Sequence, residues 1–239
     1  SWTPDGKSIV FSSNRGGNFD LWSVTLDGMV TPAVQLTKSP ELDAEPSTAA
    51  GGRVVFVRGR GGEARVWLRE ADGTERRLTN GRAAERWPAV SPDGRKVAYV
   101  IVTETGRRFV VRELAAAANA RNADSTVSTV AGVERPAWSP AGDRLTYTTT
   151  GQRGSVFVTP LDGRYANFVV AKRAASAWSP DGKKIALVEL PEGDVGYKGD
   201  PNRVPDRDAN LLAEGGALSF VDAPLAPDSA RTGSAAPSM

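Results

Sequence analysis

The chain has 239 residues, enough for one sizeable domain, and 30 Lys and Arg against 28 Asp and Glu leave a net charge of only +2. It contains no cysteine and no histidine, which excludes disulfides, thiolate nucleophiles, histidine-bearing metal sites and a Ser-His-Asp arrangement within these residues. No apolar run approaches the roughly 18 residues of a membrane-spanning helix, and neither a Gly-x-Ser-x-Gly elbow nor a Walker-type phosphate loop occurs.

The chain opens on Ser1-Trp2-Thr3-Pro4-Asp5-Gly6. Pro presets φ, Asp bonds the backbone ahead of it and Gly takes a positive φ, so the phrase reads as a tight turn. A strand is predicted next over Ser8-Ile9-Val10-Phe11, then a turn at Asn14–Asn18 and a second strand at Asp20-Leu21-Trp22-Ser23-Val24. Leu26-Asp27-Gly28 turns the chain again, into a short closing strand at Val34-Gln35-Leu36-Thr37. The same order then recurs. A worn copy of the opening phrase sits at Ser47–Gly52, and clear copies follow at Val90–Gly94, Trp138–Gly142 and Trp178–Gly182. The proline slot falls at positions 4, 50, 92, 140 and 180, in steps of 46, 42, 48 and 40 residues. Strands are predicted after each copy: Val54–Val57 and Arg65–Leu68, Val97–Val100 and Arg108–Val111, Leu145–Thr148 and Ser155–Val158, then Ile185–Val188.

A period near forty built of short strands is the signature of a β-propeller. The expected fold is all-β, a propeller of four-stranded antiparallel blades with about five repeat units visible. Their expected bounds are about 1–45, 46–87, 88–135, 136–175 and 176–222, followed by an Ala/Pro/Ser-rich tail at 223–239. Trp2, Trp138 and Trp178 share one repeat slot, with Val90 in the same place, and Trp22 and Trp67 share another. Recurrence of one slot in successive units points to packing between blades, ahead of a stacking platform for sugars or bases.

The unit made of Trp-Ser-Pro-Asp-Gly-Lys, a strand, Ser-Asn-Arg-Gly-Gly, Asp-Leu-Trp, Leu-Asp-Gly and Gln-Leu-Thr resembles the TolB-type propeller repeat, also called the WD40-like or PD40 repeat. The resemblance covers residues 1–188. It implies a six-bladed ring, more blades than the units visible here. Similar repeats occur in periplasmic TolB proteins, in the propellers of prolyl-oligopeptidase-type and tricorn peptidases, and in bacterial envelope proteins. Because residue 1 lies inside a repeat phrase, a signal, an anchor or further blades are expected upstream.

Charge is uneven, at −3 over residues 1–50, +7 over 51–112, +3 over 113–188 and −5 over 189–239. The basic stretch holds Arg53, Arg58, Arg60, Arg65, Arg69, Arg76, Arg77, Arg82 and Arg86. Arg58-Gly59-Arg60-Gly61-Gly62 resembles an RGG element, but it falls where the repeat needs a hairpin turn and aromatic interleaving is poor. Solvated arginines on blade edges are the expectation, with no nucleic acid as partner. Three segments break the repeat: Ala115–Thr126; the acidic loop of 189–216, which lacks calcium-binding spacing; and the tail, which has too few large apolar groups to fold alone.

A propeller binds at the mouth of its channel. The segments that precede each phrase are expected to be loops that bring Asp43, Glu45, Glu85, Arg86, Trp87, Glu134, Arg135 and Arg173 there. Mixed charge with one tryptophan suits a peptide or polar protein segment; mutual pairing across the channel is the competing expectation. No cofactor and no metal are expected. The reading is a non-enzymatic protein-binding or scaffold propeller of the bacterial cell envelope, periplasmic and peripheral to a membrane, with an accessory role in a larger membrane complex as one form of it. The alternative is the substrate-gating propeller of a prolyl-oligopeptidase-like serine peptidase whose catalytic domain lies outside this chain.

Overall fold

The computed structural model of the protein describes residues 1–28, 31–118, 120, 124–128, 132–149, 155–161, 168–172, 174–189 and 217–223. Five antiparallel sheets follow one another along the chain. The first holds β1 (Ser8–Ser13), β2 (Asp20–Thr25) and β3 (Val34–Gln35), extended by a bridge between Trp2 and Ile9. The second holds β4 (Asp43–Thr48), β5 (Val54–Arg58), β6 (Arg65–Arg69) and β7 (Glu75–Arg77). The third holds β8 (Ala84–Val90), β9 (Lys96–Thr103), β10 (Gly106–Glu113) and β11 (Asp124–Ser128). The fourth holds β12 (Val133–Trp138), β13 (Arg144–Thr149), β14 (Ser155–Pro160) and β15 (Phe168–Lys172). The fifth holds β16 (Ala174–Trp178), β17 (Lys184–Glu189) and β18 (Ala217–Asp222). Each sheet is a meander, and the first strands β4, β8, β12 and β16 lie against one another around a central channel. The fold is an all-β propeller.

The clear copies of the phrase share one turn architecture. The phrase hydroxyl donates to the aspartate two residues on, at 2.6 Å for Thr3–Asp5, Ser91–Asp93 and Ser179–Asp181. That carboxylate also accepts the N–H of Lys7, Arg95 or Lys183 at 3.0 Å. The hydroxyl in turn accepts the N–H that starts the next strand, from Ser8, Lys96 or Lys184. The fourth copy has Ala141 where the others have aspartate, and Asp143, two residues later, takes the Ser139 hydroxyl at 2.7 Å. The phrase glycine is favoured by its backbone conformation, not by lack of space. Gly182 has φ +69, and a Cβ there would rest on Pro140 of the preceding phrase at 3.5 Å.

Packing explains why these strands read as continuous apolar runs. Along β9, Val97 and Tyr99 face the second sheet while Ala98 and Val100 face the fourth. Along β5, Val54 and Phe56 face the first sheet and Val55 faces the third. Strands covered on both faces have no polar side to show. Four apolar clusters fill the four joints between successive sheets. At the third joint Phe109 meets Tyr147 edge-on at 5.4 Å, and Tyr147 stacks on Phe157 at 5.2 Å.

Trp138 and Trp178 are packing residues. Trp138 is 8% exposed and donates its indole N–H to the carbonyl of Ala89 in the preceding sheet at 2.8 Å. Trp178 does the same to Ala137 at 3.4 Å, with Arg144 lying over its ring. Several arginines of the basic stretch differ from the solvated edge expected of them, while Arg60 and Arg82 are exposed as expected. Arg69 donates to the carbonyl of Leu36 in the first sheet at 2.9 Å, while Arg53 and Arg76 donate to Gly94 and Leu114 in the third at 3.1 and 2.7 Å. They cap carbonyls that the neighbouring sheets leave over. Asp124–Ser128 is a closing strand, so the end of the irregular 115–126 segment continues the repeat. The acidic loop at 190–216 and the tail from 224 lie outside the described residues.

Trp138→Ala is expected to cost about 3–5 kcal/mol, read from denaturant unfolding, because it opens a cavity and orphans a carbonyl. The phrase carboxyls give a second expectation. The Thr3, Ser91 and Ser179 hydroxyls, helped by backbone N–H groups, hold Asp5, Asp93 and Asp181 below the usual carboxylate range. Their contribution is therefore complete above about pH 4 and is lost as pH falls through the lowered values. Thermal melts between neutral and acid pH should show this decline, and it should be shallower in Asp93→Asn.

Candidate functional site

The first strands of the second, third and fourth sheets break their ladders at the same place. Register slips between Ala44 and Ser47, between Arg86 and Ala89, and between Glu134 and Ala137. The residue before the proline in each slip is left-handed: Glu45 at φ 54, Trp87 at φ 52 and Arg135 at φ 49. A side chain other than glycine rarely adopts this region, and each instance costs on the order of 1–3 kcal/mol. Three in one slot need a strong local reason to persist. The bulges re-aim side chains that a regular strand would point along the pleat.

Cross-sheet bonds hold the first two. The carboxylate of Glu45, in the second sheet, accepts the backbone N–H of Trp87 at 2.6 Å and Nε of Arg86 at 2.8 Å, and it also pairs with Nη2 of Arg86. Both donors belong to the third sheet. The Trp87 ring lies between two guanidiniums, that of Arg86 at 5.6 Å and that of Arg107 at 5.2 Å from its centre. Arg107 then reaches Glu134 of the fourth sheet at 2.5 Å. One strap, Glu45–Arg86–Trp87–Arg107–Glu134, thus ties three sheets at the channel.

Asp43 and Glu85 share the slot two residues before each bulge, and both are buried. Asp43 receives Arg58 through two bonds of 2.7 Å, and Arg58 also meets Glu75 at 2.7 Å while lying over Trp67. These carboxylate partners hold the Arg58 guanidinium above its ordinary pKa against the opposing effect of burial. Glu85 accepts the N–H of Val66 at 3.1 Å and the hydroxyl of Thr79, both in the second sheet. Burial pushes its carboxyl up, opposed by those two bonds. The Asp43 and Glu85 backbones also donate to Phe19 and Ala64 of the sheet before. Both residues act in the joint, inside the protein.

The structure therefore divides the expected mouth residues. Glu45, Arg86 and Trp87 come together, and Glu134 joins them through Arg107. Asp43 and Glu85 are interior. Arg135 occupies the third bulge, and Arg173 lies outside the described residues. The segments expected as loops are strands, since β4, β8 and β12 run through them. Arg58 and Arg107 were not singled out for the site. Arg58 sat just past a predicted strand and Arg107 just after a turn, and neither place marks a site. Among the described residues no three acidic side chains converge as a cation site requires. At the other end of the first strands lies a cavity of about 470 Å³ lined by uncharged groups, including Pro46, Ala49, Pro88, Ser91, Pro136 and Trp138. One end of the first strands is therefore charged and aromatic, and the other is lined by neutral groups.

Comparison with known proteins places the fold. The family described as the TolB beta propeller domain matches residues 1–159. A TolB homolog of Chlorobium chlorochromatii is 31% identical over 147 residues, covering 58% of this chain and 31% of that protein. The crystal structure of TolB from Acinetobacter baumannii superposes with a TM-score of 0.64 at 18% identity, covering 79% of this chain and 48% of that one. A structure from a study of two prolyl endopeptidases superposes with a TM-score of 0.57 at 16% identity, over 79% of this chain and 31% of that one. The chain spans about half the length, or less, of the curated relatives it matches.

Asp43→Ala should cost about 3 kcal/mol in denaturant unfolding. That is the low end for breaking a buried ion pair, because Glu75 still holds Arg58.

Proposed function

The chain belongs to the TolB β-propeller family, and from that premise we propose that it is a protein-binding propeller of the bacterial cell envelope, a scaffold with no catalytic task of its own. The observation that carries this reading is the set of strained bulges at Glu45, Trp87 and Arg135. Strain of this kind gathers where a surface is pre-shaped for a ligand. Here the strap fixes its side chains before any partner arrives, so little rotamer freedom is lost on binding. A half-buried tryptophan flanked by arginines suits an extended or loop segment of a protein carrying carboxylates and an apolar side chain. The same kinship supports periplasmic placement and an accessory role in a membrane-associated complex. No helix among the described residues is long and apolar enough to cross a membrane. Nucleic acid is disfavoured as a partner, because Arg53, Arg58, Arg65, Arg69 and Arg76 are engaged by carbonyls and carboxylates of the protein itself.

A second reading draws support from the likeness to a prolyl endopeptidase structure: the propeller would gate access to a serine hydrolase domain carried elsewhere on the polypeptide. An active-site serine probe applied to the intact protein separates the two. Covalent labelling supports the gate, and its absence beside a co-purified envelope protein supports the scaffold.

The direct test is capture of partners from envelope extracts by the wild-type protein and by Trp87→Ala and Arg135→Glu. Loss of a central aromatic anchor typically costs about 2 kcal/mol or more, so retention should fall more than tenfold while the melting curve stays cooperative. Retention unchanged in both variants sinks the mouth as the binding surface.

A further inference from the structure

Asn80 is the one asparagine of the chain that a glycine follows. It stands exposed within residues 78–83, which lead from β7 of the second sheet to β8, the first strand of the third. The aspartates that precede glycine in the phrases are locked. Gly6, Gly94 and Gly182 donate their N–H groups to the carbonyls of Thr3, Ser91 and Ser179 at 2.9, 2.8 and 2.9 Å, and hydroxyls hold Asp5, Asp93 and Asp181. Asn80 and Gly81 lack both restraints. Among the described residues no hydrogen bond engages the Asn80 amide or the Gly81 N–H.

Glycine is imposed at position 81 from inside the protein. A Cβ there would come within 2.8 Å of Oε1 of Glu85. That buried side chain cannot swing aside, because its Oε2 accepts the N–H of Val66 and the hydroxyl of Thr79. The carbonyl of Gly81 accepts Nε of Arg65 at 2.9 Å. The joint between the second and third sheets thus needs a glycine here, and the sequence sets an exposed amide directly before it.

We propose that Asn80 is a site of spontaneous covalent modification, where loss of the side-chain amide gives aspartyl and isoaspartyl forms. The Gly81 nitrogen gives its proton to water or hydroxide and attacks Cγ of Asn80. A bond forms between Cγ and that nitrogen, the bond from Cγ to Nδ2 breaks, and Nδ2 takes up a proton and leaves as ammonia. Water then opens the five-membered imide. Cleavage at Cγ leaves aspartate; cleavage at the main-chain carbonyl leaves isoaspartate, whose backbone runs through Cβ and Cγ. The sum is one water consumed and one ammonia released, with no oxidant and no enzyme. Glycine favours the first step because no side chain shields its nitrogen and its backbone turns freely. The isoaspartyl form lengthens the backbone by one atom where Gly81 packs on Glu85 and holds Arg65. Glu85 also sets the head of β8 by donating its N–H to Ala64 at 3.0 Å, and Arg86 and Trp87 follow it. Conversion therefore loosens the joint and, with it, the candidate mouth.

The test follows the purified chain through storage in mildly alkaline buffer. Trypsin releases residues 78–82 as one peptide, since Arg77 and Arg82 flank the cuts. Two new forms of that peptide, each heavier by the exchange of NH for O, should accumulate. Their rate should lie within about tenfold of the rate in the urea-unfolded chain, because a segment at the low-stability end of a fold shields its groups little. Asn80→Gln should give neither form, since glutamine would have to close a six-membered ring. The isoaspartyl protein should melt several degrees below the fresh one, the response of a domain of this size to a modest loss of stability. Asn80→Asp, which brings the charge without the extra backbone atom, should fall less. A peptide of unchanged mass overturns the proposal, as does a folded-state rate more than about a hundredfold below the unfolded one. Conversion without a change in melting, or an equal fall in Asn80→Asp, overturns the loosening of the joint by the lengthened backbone.

Discussion

Each sheet of this protein has two apolar faces and can hide neither by itself, so the whole structure depends on the joint between one sheet and the next. The joint has three parts that recur. An apolar cluster fills the middle, as Phe109, Trp138 and Tyr147 do between the third and fourth sheets. A tryptophan or an arginine side chain covers carbonyls left over at the edges, as Trp138 does for Ala89 and Arg69 for Leu36. A backbone bond from the head of a first strand, Asp43 to Phe19 or Glu85 to Ala64, sets the height at which two sheets meet. Apolar contact supplies most of the free energy and is indifferent to sliding. The hydrogen bonds fix the register that the apolar contact leaves free.

The candidate mouth follows from the same joints. A regular first strand would pair fully with its second strand and present only a pleat to the channel. The bulges release Glu45, Trp87 and Arg135 from that pleat, and the ion pairs that stabilise the bulges also run from sheet to sheet. Binding geometry and joint are therefore one construction. A partner that pulled on Trp87 would load Glu45 and Glu134 in two different sheets at once.

Much of this was legible in the sequence, for identifiable reasons. Pro-Asp-Gly marks a turn because each residue restricts the backbone in its own way, and the structure uses every copy as a turn, even where Asp143 stands in for a carboxylate lost at Ala141. The tryptophan slot read as packing because it recurs, and Trp138 packs. The first strands were hidden. Asp43-Ala44-Glu45-Pro46-Ser47-Thr48 carries a proline and two carboxylates, and its register slip destroys the alternation by which a strand is recognised. The arginines misled for a different reason. A guanidinium that caps a distant carbonyl has no local pattern, since Arg76 and Leu114 are 38 residues apart. Burial of Asp43 and Glu85 was invisible on the same grounds, because their partners are set by the meeting of strands.

The repetition of one joint has a consequence for how such a protein changes over generations. The second, fourth and fifth sheets address their predecessors through the same slot, with an indole or a threonine hydroxyl set against a backbone carbonyl, and backbone carbonyls are the one chemical group that no mutation removes. A duplicated repeat that keeps its slot donor and its apolar faces arrives already able to dock, and a deleted one leaves behind two surfaces that still match. Ring size can therefore drift by whole units while the local chemistry stays fixed. The residues free to diverge are those at the bulges, where a lineage can acquire a new partner without relearning how to assemble.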